Sequence, residues 1–454
     1  MKTEFGRKAL ILCASVSVAA LSVAPSQAAF FALREQSAYN QGSSFAGASA
    51  QTNSLSSFFF NPAIMTEFEG FTAEGTLSAI FPFTDADTTV DPTTGAVTSG
   101  AAGASLIADD LSTFPTTSNI GREALLPASY VSYQATDKIW LGVALNSPFG
   151  LATRSDPDSL EAASSQEFSA LTFNFQPTVG YKFSERFSVA AGLQVQHFDV
   201  EQSSATLAGV NTELNATGSS VGAIFGATFK PTDKTTIGLG YRSQMNVDLE
   251  GDIRTIVTDP GFVGLPAETI VGVAPARADL PLPDIVNFGI KHQLTEKLSL
   301  LGSFSWENWS RLQAVPVVTT GGATAAAFEF NLSDSFFGSA GAEYEINDHF
   351  TVRAGIGYET SPTNDEDRSL ALPDNNRLWL SFGGTHKLSE HIESDFGFTY
   401  IRVEQDTPVS NEFQAPTTVA GAALTPLGLG GAPIASGTAD SQVVIFTVGT
   451  RLKF

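Results

Sequence analysis

The sequence predicts an all-β protein: a 14-stranded antiparallel transmembrane β-barrel with an N-terminal hatch inside its lumen. Three observations predict it. The apolar residues are spread through period-2 segments rather than gathered into spanning helices. The face opposite each apolar face is Gly, Ser, Thr, Asn and Gln with few charges, where a soluble sandwich would present Lys and Glu to water. Short polar turns alternate with long loops along the chain. Composition agrees: charged residues are 16% of the 454, against roughly 25% in soluble proteins. Phe occurs 35 times and Gly 40 times. The formal charge of −23 repels phosphate backbones and argues against nucleic acid as a partner.

The first element is a secretory signal over residues 1–28. Lys2, Arg7 and Lys8 precede the apolar run Leu10–Val23, and Ser26-Gln27-Ala28 follows it. Fourteen apolar residues are too few to span a bilayer as a helix, which takes about 20, so the pattern is that of a cleaved leader. Cleavage after Ala28 removes Cys13, the chain's one cysteine, and with it disulfide and thiolate chemistry. Residues 29–70 come next. They show no period-2 run, yet Phe30, Phe31, Phe45 and Phe58–Phe60 are too apolar for solvated disorder. The lumen of a 14-stranded barrel is too wide for wall side chains to fill, which makes it the natural home for this segment.

The barrel is expected over residues 71–454. In Leu171–Phe183, Leu171, Phe173, Phe175, Val179, Tyr181 and Phe183 share one face, opposite Thr172, Asn174, Gln176, Thr178 and Lys182. In Ile237–Leu249, Ile237, Leu239, Tyr241, Met245 and Val247 oppose Gly238, Gly240, Arg242, Gln244 and Asn246. Fourteen such segments begin near residues 71, 127, 139, 169, 187, 220, 235, 284, 298, 336, 350, 377, 392 and 441. Short turns fall at 135–138, 184–186, 231–234, 295–297, 347–349 and 389–391. The long connections are 83–124, 152–168, 199–218, 250–282, 309–333, 360–376 and 404–440. An even strand count returns both ends to the periplasmic side, and closure satisfies every backbone group without water. The final strand ends on an aromatic, Phe454, the expected handle for the barrel-assembly machinery. The expected surroundings are outer-membrane lipid and lipopolysaccharide, with the protein a monomer.

Signals for chemistry are sparse. The five His are scattered without metal-ligand spacing, no GxSxG appears, and Gly355/Gly357 suit the inner face of a strand better than a dinucleotide loop. No cofactor, metal or catalytic residue is expected. Lumen-facing Lys182, Arg242, Lys291, Arg353 and Arg377 offer positive charge, with Glu343 and Asp395 as candidate partners within the lumen. Asn61-Pro62 is either a structural turn entering the first strand or part of a gate. Pro148-Phe149-Gly150 is either a bulge or a wall opening. The Ala/Leu/Pro-rich stretch Ala420–Ala435 is either a capture surface or simply a flexible loop.

Several blocks resemble the FadL family of outer-membrane long-chain fatty acid and hydrocarbon transporters. Ala29-Phe30-Phe31 through Gly47, with Asn61-Pro62-Ala63, is similar to the family's mature N-terminus, hatch and NPA motif. Ser147-Pro148-Phe149-Gly150-Leu151 is similar to its interrupted third strand. Leu280–Ser310 resembles a family strand pair, and RAGIGYETSP, LPDNNRLWLSFG and DFGFTY resemble family blocks in order and spacing. The resemblance implies a non-enzymatic, passive uptake channel in the Gram-negative outer membrane. It implies ligand-binding or gating roles for Ala29, Phe30, Phe31, Asn61, Pro62, Ala63, Pro148, Phe149 and Gly150; from their place among the lumen-facing cations, Arg353 and Arg377 are the candidate partners of a ligand carboxylate. Long-chain fatty acids are the expected cargo, with aromatic or alkane hydrocarbons as the alternative. Family fatty-acid binders use basic groups in the loop after Trp309; here Arg311 is the one basic residue. A general porin and a lipid-modifying barrel enzyme remain as other classes. Single-channel conductance discriminates the first and a lipid-hydrolysis assay the second.

Overall fold

The computed structural model describes residues 31–90, 97–98, 105–106, 119–156, 166–205, 210–257, 269–319, 324–369, 372–412 and 433–454. The leader, Ala29, Phe30 and nearly all of the 420–435 stretch lie outside these residues. Twenty strand segments form one antiparallel sheet, and six of them continue an earlier segment across a break, which leaves fourteen staves. These are β1 (Phe71–Val90), β2 (Ala124–Gln134), β3 (Ile139–Asn146 and Gly150–Arg154), β4 (Glu167–Ser184), β5 (Phe187–Ala205), β6 (Val210–Thr232) and β7 (Thr235–Arg242 and Met245–Val257). There follow β8 (Thr269–Leu282 and Ile285–Gln293), β9 (Leu298–Glu307 and Ala314–Thr319), β10 (Thr324–Glu329 and Ser335–Asn347), β11 (Phe350–Glu359), β12 (Arg377–Lys387), β13 (Ile392–Val403 and Thr407–Glu412) and β14 (Pro433–Lys453). Each pairs with its chain neighbours, and β14 closes on β1 from Thr72↔Lys453 to Val90↔Ala435. Closure leaves no stave without a neighbour on either side, as hydrocarbon requires.

Side-chain exposure fixes which solvent the outer face meets. On β4, Phe173 is 43% and Val179 53% exposed, while Asn174 and Gln176 are fully buried. A water-soluble sheet would show the reverse. Rings such as Phe225, Phe304, Phe382, Phe396 and Phe446 continue this apolar band around the barrel.

Residues 31–68 are folded into the lumen as a short helix (Ala38–Gln41) and three 3-10 turns, Ala48–Ala50, Leu55–Phe59 and Pro62–Glu67. Their hydrogen bonds reach staves on every side. Ser54 donates to Glu74 of β1 at 2.7 Å, Asn61 to the Ala227 carbonyl of β6 at 3.0 Å, Ser44 to Ser381 of β12 at 2.8 Å and Gln41 to Thr399 of β13 at 2.5 Å. Inward glycines let the two backbones touch: a Cβ on Gly238 or Gly240 would collide with the carbonyl oxygen of Ser49 or Phe60.

Three sequence expectations need correction. The connections placed at 199–218 and 250–282 are largely strand, because β5 to β8 rise above the apolar band. There the outer face is mostly polar, apart from Ile270 and Val273, and the alternation that marks a lipid-facing strand disappears. The connection at 309–333 contains the hairpin Ala314–Thr319/Thr324–Glu329. Finally, Met245 and Val247 do not share a face with Ile237 and Leu239. The break at Ser243-Gln244 inserts residues into β7, so Met245, Val247 and Leu249 are buried while Gln244 and Asn246 turn outward. A matching break at Pro283-Asp284 changes the face of β8, and Asp284 bridges the two breaks by accepting from Tyr241 at 2.7 Å and the Gln244 N–H at 3.0 Å. The inward face of these two staves is therefore glycine and polar residues below the breaks and apolar above them.

Candidate functional site

Above the breaks lies a cavity lined almost wholly by apolar side chains, the usual lining of a small-molecule pocket. Phe168, Phe198, Leu249, Leu280, Val315 and Leu372 are among its walls, and Phe31 of the N-terminal segment lines it as well. The Ala314–Glu329 hairpin contributes Val315, Val317 and Phe328. Phe31 sits in an aromatic cluster with ring centroids 4.8 Å from Trp309, 5.7 Å from Phe149 and 6.3 Å from Phe198, all edge-on. Such pairs add about 0.5–1.5 kcal/mol each to simple burial.

Phe149 reaches this cluster because β3 leaves the wall. Asn146 still pairs with Asn174 and Gly150 resumes opposite Leu171, so three residues of β3 face two of β4. On the other side, the β2–β3 ladder stops at Ser129↔Leu145, and the next bridge is Gly121↔Thr153. Residues 122–128 and 146–152 between them form no rung, which is a lateral break in the wall.

The backbone groups freed by this break find partners inside. The N-terminal segment lies against the kink as a short antiparallel strand, with Ala32 opposite Phe149. Leu33 N–H donates to the Pro148 carbonyl at 2.8 Å and Gly150 N–H to the Phe31 carbonyl at 2.8 Å. The Gln36 amide donates to the Ser147 carbonyl at 2.7 Å and accepts from Ser147 N–H at 3.4 Å. Thr172 Oγ1 accepts from Phe149 N–H at 3.2 Å and donates to the Phe149 carbonyl at 2.5 Å. Pro148 has no N–H to satisfy. The kink and the N-terminal segment thus form one element.

Asn61, Pro62 and Ala63 stand elsewhere, where the plug meets β6. The Asn61 carboxamide caps the 3-10 turn by accepting from Ala63 N–H at 3.0 Å. It also donates to Ser49 O at 2.8 Å, Ala227 O at 3.0 Å and Thr228 Oγ1 at 3.1 Å. Pro62 occupies the first helical position, where its missing N–H does no harm. The motif is both a turn and a staple to the wall.

The predicted cations are engaged within the protein. Arg353 pairs with Glu343 at 2.9 Å and covers the Tyr39 ring, and Lys291 reaches the same carboxylate at 2.8 Å. Arg377 pairs with Asp374, Lys182 with Glu185, and Arg242 is held by Gln176, Gln194 and the Phe59 carbonyl. Arg353 and Arg377 are therefore occupied in this state. Among the described residues no acid, His or Cys cluster is arranged to hold a metal.

Several site residues carried no signal in the sequence. Arg34 is clamped between Glu307 at 3.0 Å and Glu359 at 2.7 Å, and Trp309 and Trp379 donate to those same two carboxylates. Glu35 is fully buried, and neither carboxylate oxygen has a hydrogen-bond partner among the described residues. Burial pushes its carboxyl up to about 7.

A closed barrel with a greasy exterior, a lumen filled by its own N-terminus and an apolar cavity over a break in the wall defines a membrane channel for hydrophobic solutes. The profile of the family described as "Outer membrane protein transport protein (OMPP1/FadL/TodX)" matches residues 18–454, and the chain belongs to that family. It is 26% identical to "Outer membrane protein P1" of Haemophilus influenzae, over 84% of this chain and 88% of that one. It is 24% identical to "Long-chain fatty acid transport protein" of Escherichia coli K12, over 88% and 92%. Among solved structures, a Pseudomonas aeruginosa FadL homologue aligns with TM-score 0.80 at 22% identity, over 94% of this chain and all of that one. The Pseudomonas putida toluene transporter TodX aligns with TM-score 0.65 at 14% identity, over 92% and 98%. The chain is an outer-membrane transporter of hydrophobic compounds, of a family of channels and not of enzymes.

Proposed function

We propose passive uptake in three stages: capture of an apolar molecule in the extracellular cavity, rearrangement of the N-terminal hatch, and lateral exit through the β2–β3 break. The observation that carries the reading is the double position of Phe31. Its ring lines the cavity while its carbonyl accepts the Gly150 N–H of the kink. A ligand that displaces the ring acts directly on the residues that keep the break in its present form.

Energetics favour the side exit. Releasing a fifteen-carbon tail into aqueous periplasm costs on the order of 12 kcal/mol, at about 0.8 kcal/mol per methylene. Passage into lipid avoids that penalty. The usual obstacle, unsatisfied backbone in hydrocarbon, is met by the hatch strand and by the side chains of Gln36 and Thr172. A hydrophilic porin does not fit a lumen packed with Phe45, Leu55, Phe58 and Ile64, each at most 1% exposed.

The test is a reversible staple, Ala32→Cys with Phe149→Cys. These residues form a non-hydrogen-bonded antiparallel pair, bracketed by the Leu33–Pro148 and Phe31–Gly150 bonds, and such pairs bring side chains closest. Oxidation is expected to abolish uptake of a labelled hydrophobic substrate, and reductant to restore it. Unchanged uptake with the crosslink fully formed would remove hatch rearrangement from the mechanism.

A further inference from the structure

We infer that the cavity takes an uncharged ligand, such as a hydrocarbon, long-chain alcohol or ester, and discriminates against an ionised carboxylate. This rests on the reading of the cavity as the capture site. The chain has 24 Lys and Arg; setting aside Lys2, Arg7 and Lys8 leaves 21, and every one falls among the described residues, as do all five His. Loop segments outside the description therefore hold no cation in reserve. They carry acids instead, among them Asp91, Asp109, Asp110, Asp158, Glu161, Asp259 and Glu268.

Two polar residues, Gln202 and Arg277, occur among the eighteen that line the cavity. Arg277 is on the outward face of β8: its side chain is 71% exposed and bound to Glu250 at 3.1 Å. Its neighbours Ala276 and Ala278 are the inward ones. Of the cations away from the lining, Arg34, Arg353, Arg377 and Arg451 pair with acids. Arg242 is held by two amides and the Phe59 carbonyl, and neither Arg242 nor Arg311 reaches the cavity wall. Outside the rim, Asp248 and Asp279 stand opposite each other on β7 and β8, with Asp252 further along β7, Glu201 on β5 and Glu213 on β6. A carboxylate would approach against this field. It would then lose its hydration with no ion partner, so it would bind only after taking up a proton. An uncharged head group meets neither barrier, and the Gln202 amide offers a neutral hydrogen-bonding group.

The experiment uses the full processed protein in lipid nanodiscs and labelled hexadecane as the bound probe. Hexadecanol is expected to displace the probe at a concentration at least tenfold below palmitate at pH 8, with the gap shrinking at pH 5 as the acid protonates. The Ala278→Lys variant, which puts a cation on the lining, is expected to narrow the gap at pH 8. Palmitate displacing the probe as well as hexadecanol at pH 8 overturns the inference while leaving capture in the cavity intact. Failure of the probe to bind wild type, with uptake undisturbed in a cavity-filling Ala216→Trp variant, overturns the capture reading itself.

Discussion

Thr172→Val keeps the shape of the side chain facing the kink and removes only its hydroxyl. That hydroxyl serves both backbone groups of Phe149, accepting at 3.2 Å and donating at 2.5 Å. Thr172 is 8% and Phe149 3% exposed, so water cannot readily replace it. Because Ala32 and Phe149 face each other as a non-hydrogen-bonded pair, the hatch strand cannot take over either group. An unsatisfied buried group costs about 1–3 kcal/mol, and one hydroxyl shared by two groups places the loss near 2–3 kcal/mol. The rest of the barrel keeps its ladders, so the variant should assemble and remain heat-modifiable. Local opening of 146–152 should become roughly 30- to 150-fold more frequent, the same energy expressed as an equilibrium constant. Hydrogen exchange of that peptide by mass spectrometry, with uptake measured at matched surface levels, reads the effect. Thr172→Ser retains the hydroxyl and should behave as wild type. Wild-type protection in Thr172→Val, or equal loss in both variants, would show that the hydroxyl does not hold the kink.

Three further outcomes are expected. Asn61→Ala, which breaks the cap and three bonds to the plug and wall, should leave the barrel assembled but raise single-channel conductance and impair uptake; an unassembled barrel would make the motif purely structural. Pro148→Thr with Gly150→Val allows β3 to run straight, and uptake should fall; normal uptake in a variant whose structure shows a sealed wall would rule out lateral exit. Burial penalises the charged form of the Glu35 carboxyl and pushes it up to about 7, from an ordinary 4.5. The seated hatch is therefore most stable below pH 4.5 and loses stability as pH rises through about 7, so protease sensitivity near residue 35 should increase across that window. Glu35→Gln should abolish this dependence, and a pH response that persists in the variant assigns it to another group.

The wall was legible because lipid imposes one rule on every stave: apolar out at each second residue. Where that rule lapses, so did the reading. Val210–Gly218 has no outward apolar series, since it stands above the membrane, and its strand character comes only from pairing with Phe187–Ala205 and Met245–Val257. The face change at Ser243-Gln244 was invisible because alternation resumes on both sides of it. In the site, Pro148 and Gly150 announced themselves as strand breakers, and Glu343 was a named candidate partner of the lumen cations. Thr172 looked like any other inward polar residue of β4. Trp309, Phe198 and Phe31 are brought together from positions up to 278 apart in sequence, and no local pattern encodes that meeting. Gln36 acts on Ser147 across 111 residues, with the same result.

The geometry also sets a limit on how capture and opening can be coupled. A ligand moves the hatch only if it binds the displaced arrangement better than the seated one; equal affinity for both moves nothing, however tight the binding. Four hydrogen bonds between residues 31–36 and the kink must yield, one each at Phe31 and Leu33 and two at Gln36. Each contributes about 0.5–1.5 kcal/mol net, so displacement needs a differential affinity of roughly 30- to 25,000-fold. Linkage makes this measurable from either end. In the Ala32→Cys/Phe149→Cys protein, the factor by which oxidation weakens hexadecane binding must equal the factor by which hexadecane disfavours the disulfide in a thiol redox buffer. Both are read at equilibrium on the same protein in nanodiscs. A ligand that binds oxidised and reduced protein equally, and leaves the disulfide equilibrium unmoved, occupies the cavity without displacing the hatch. The exit would then have to open independently of capture.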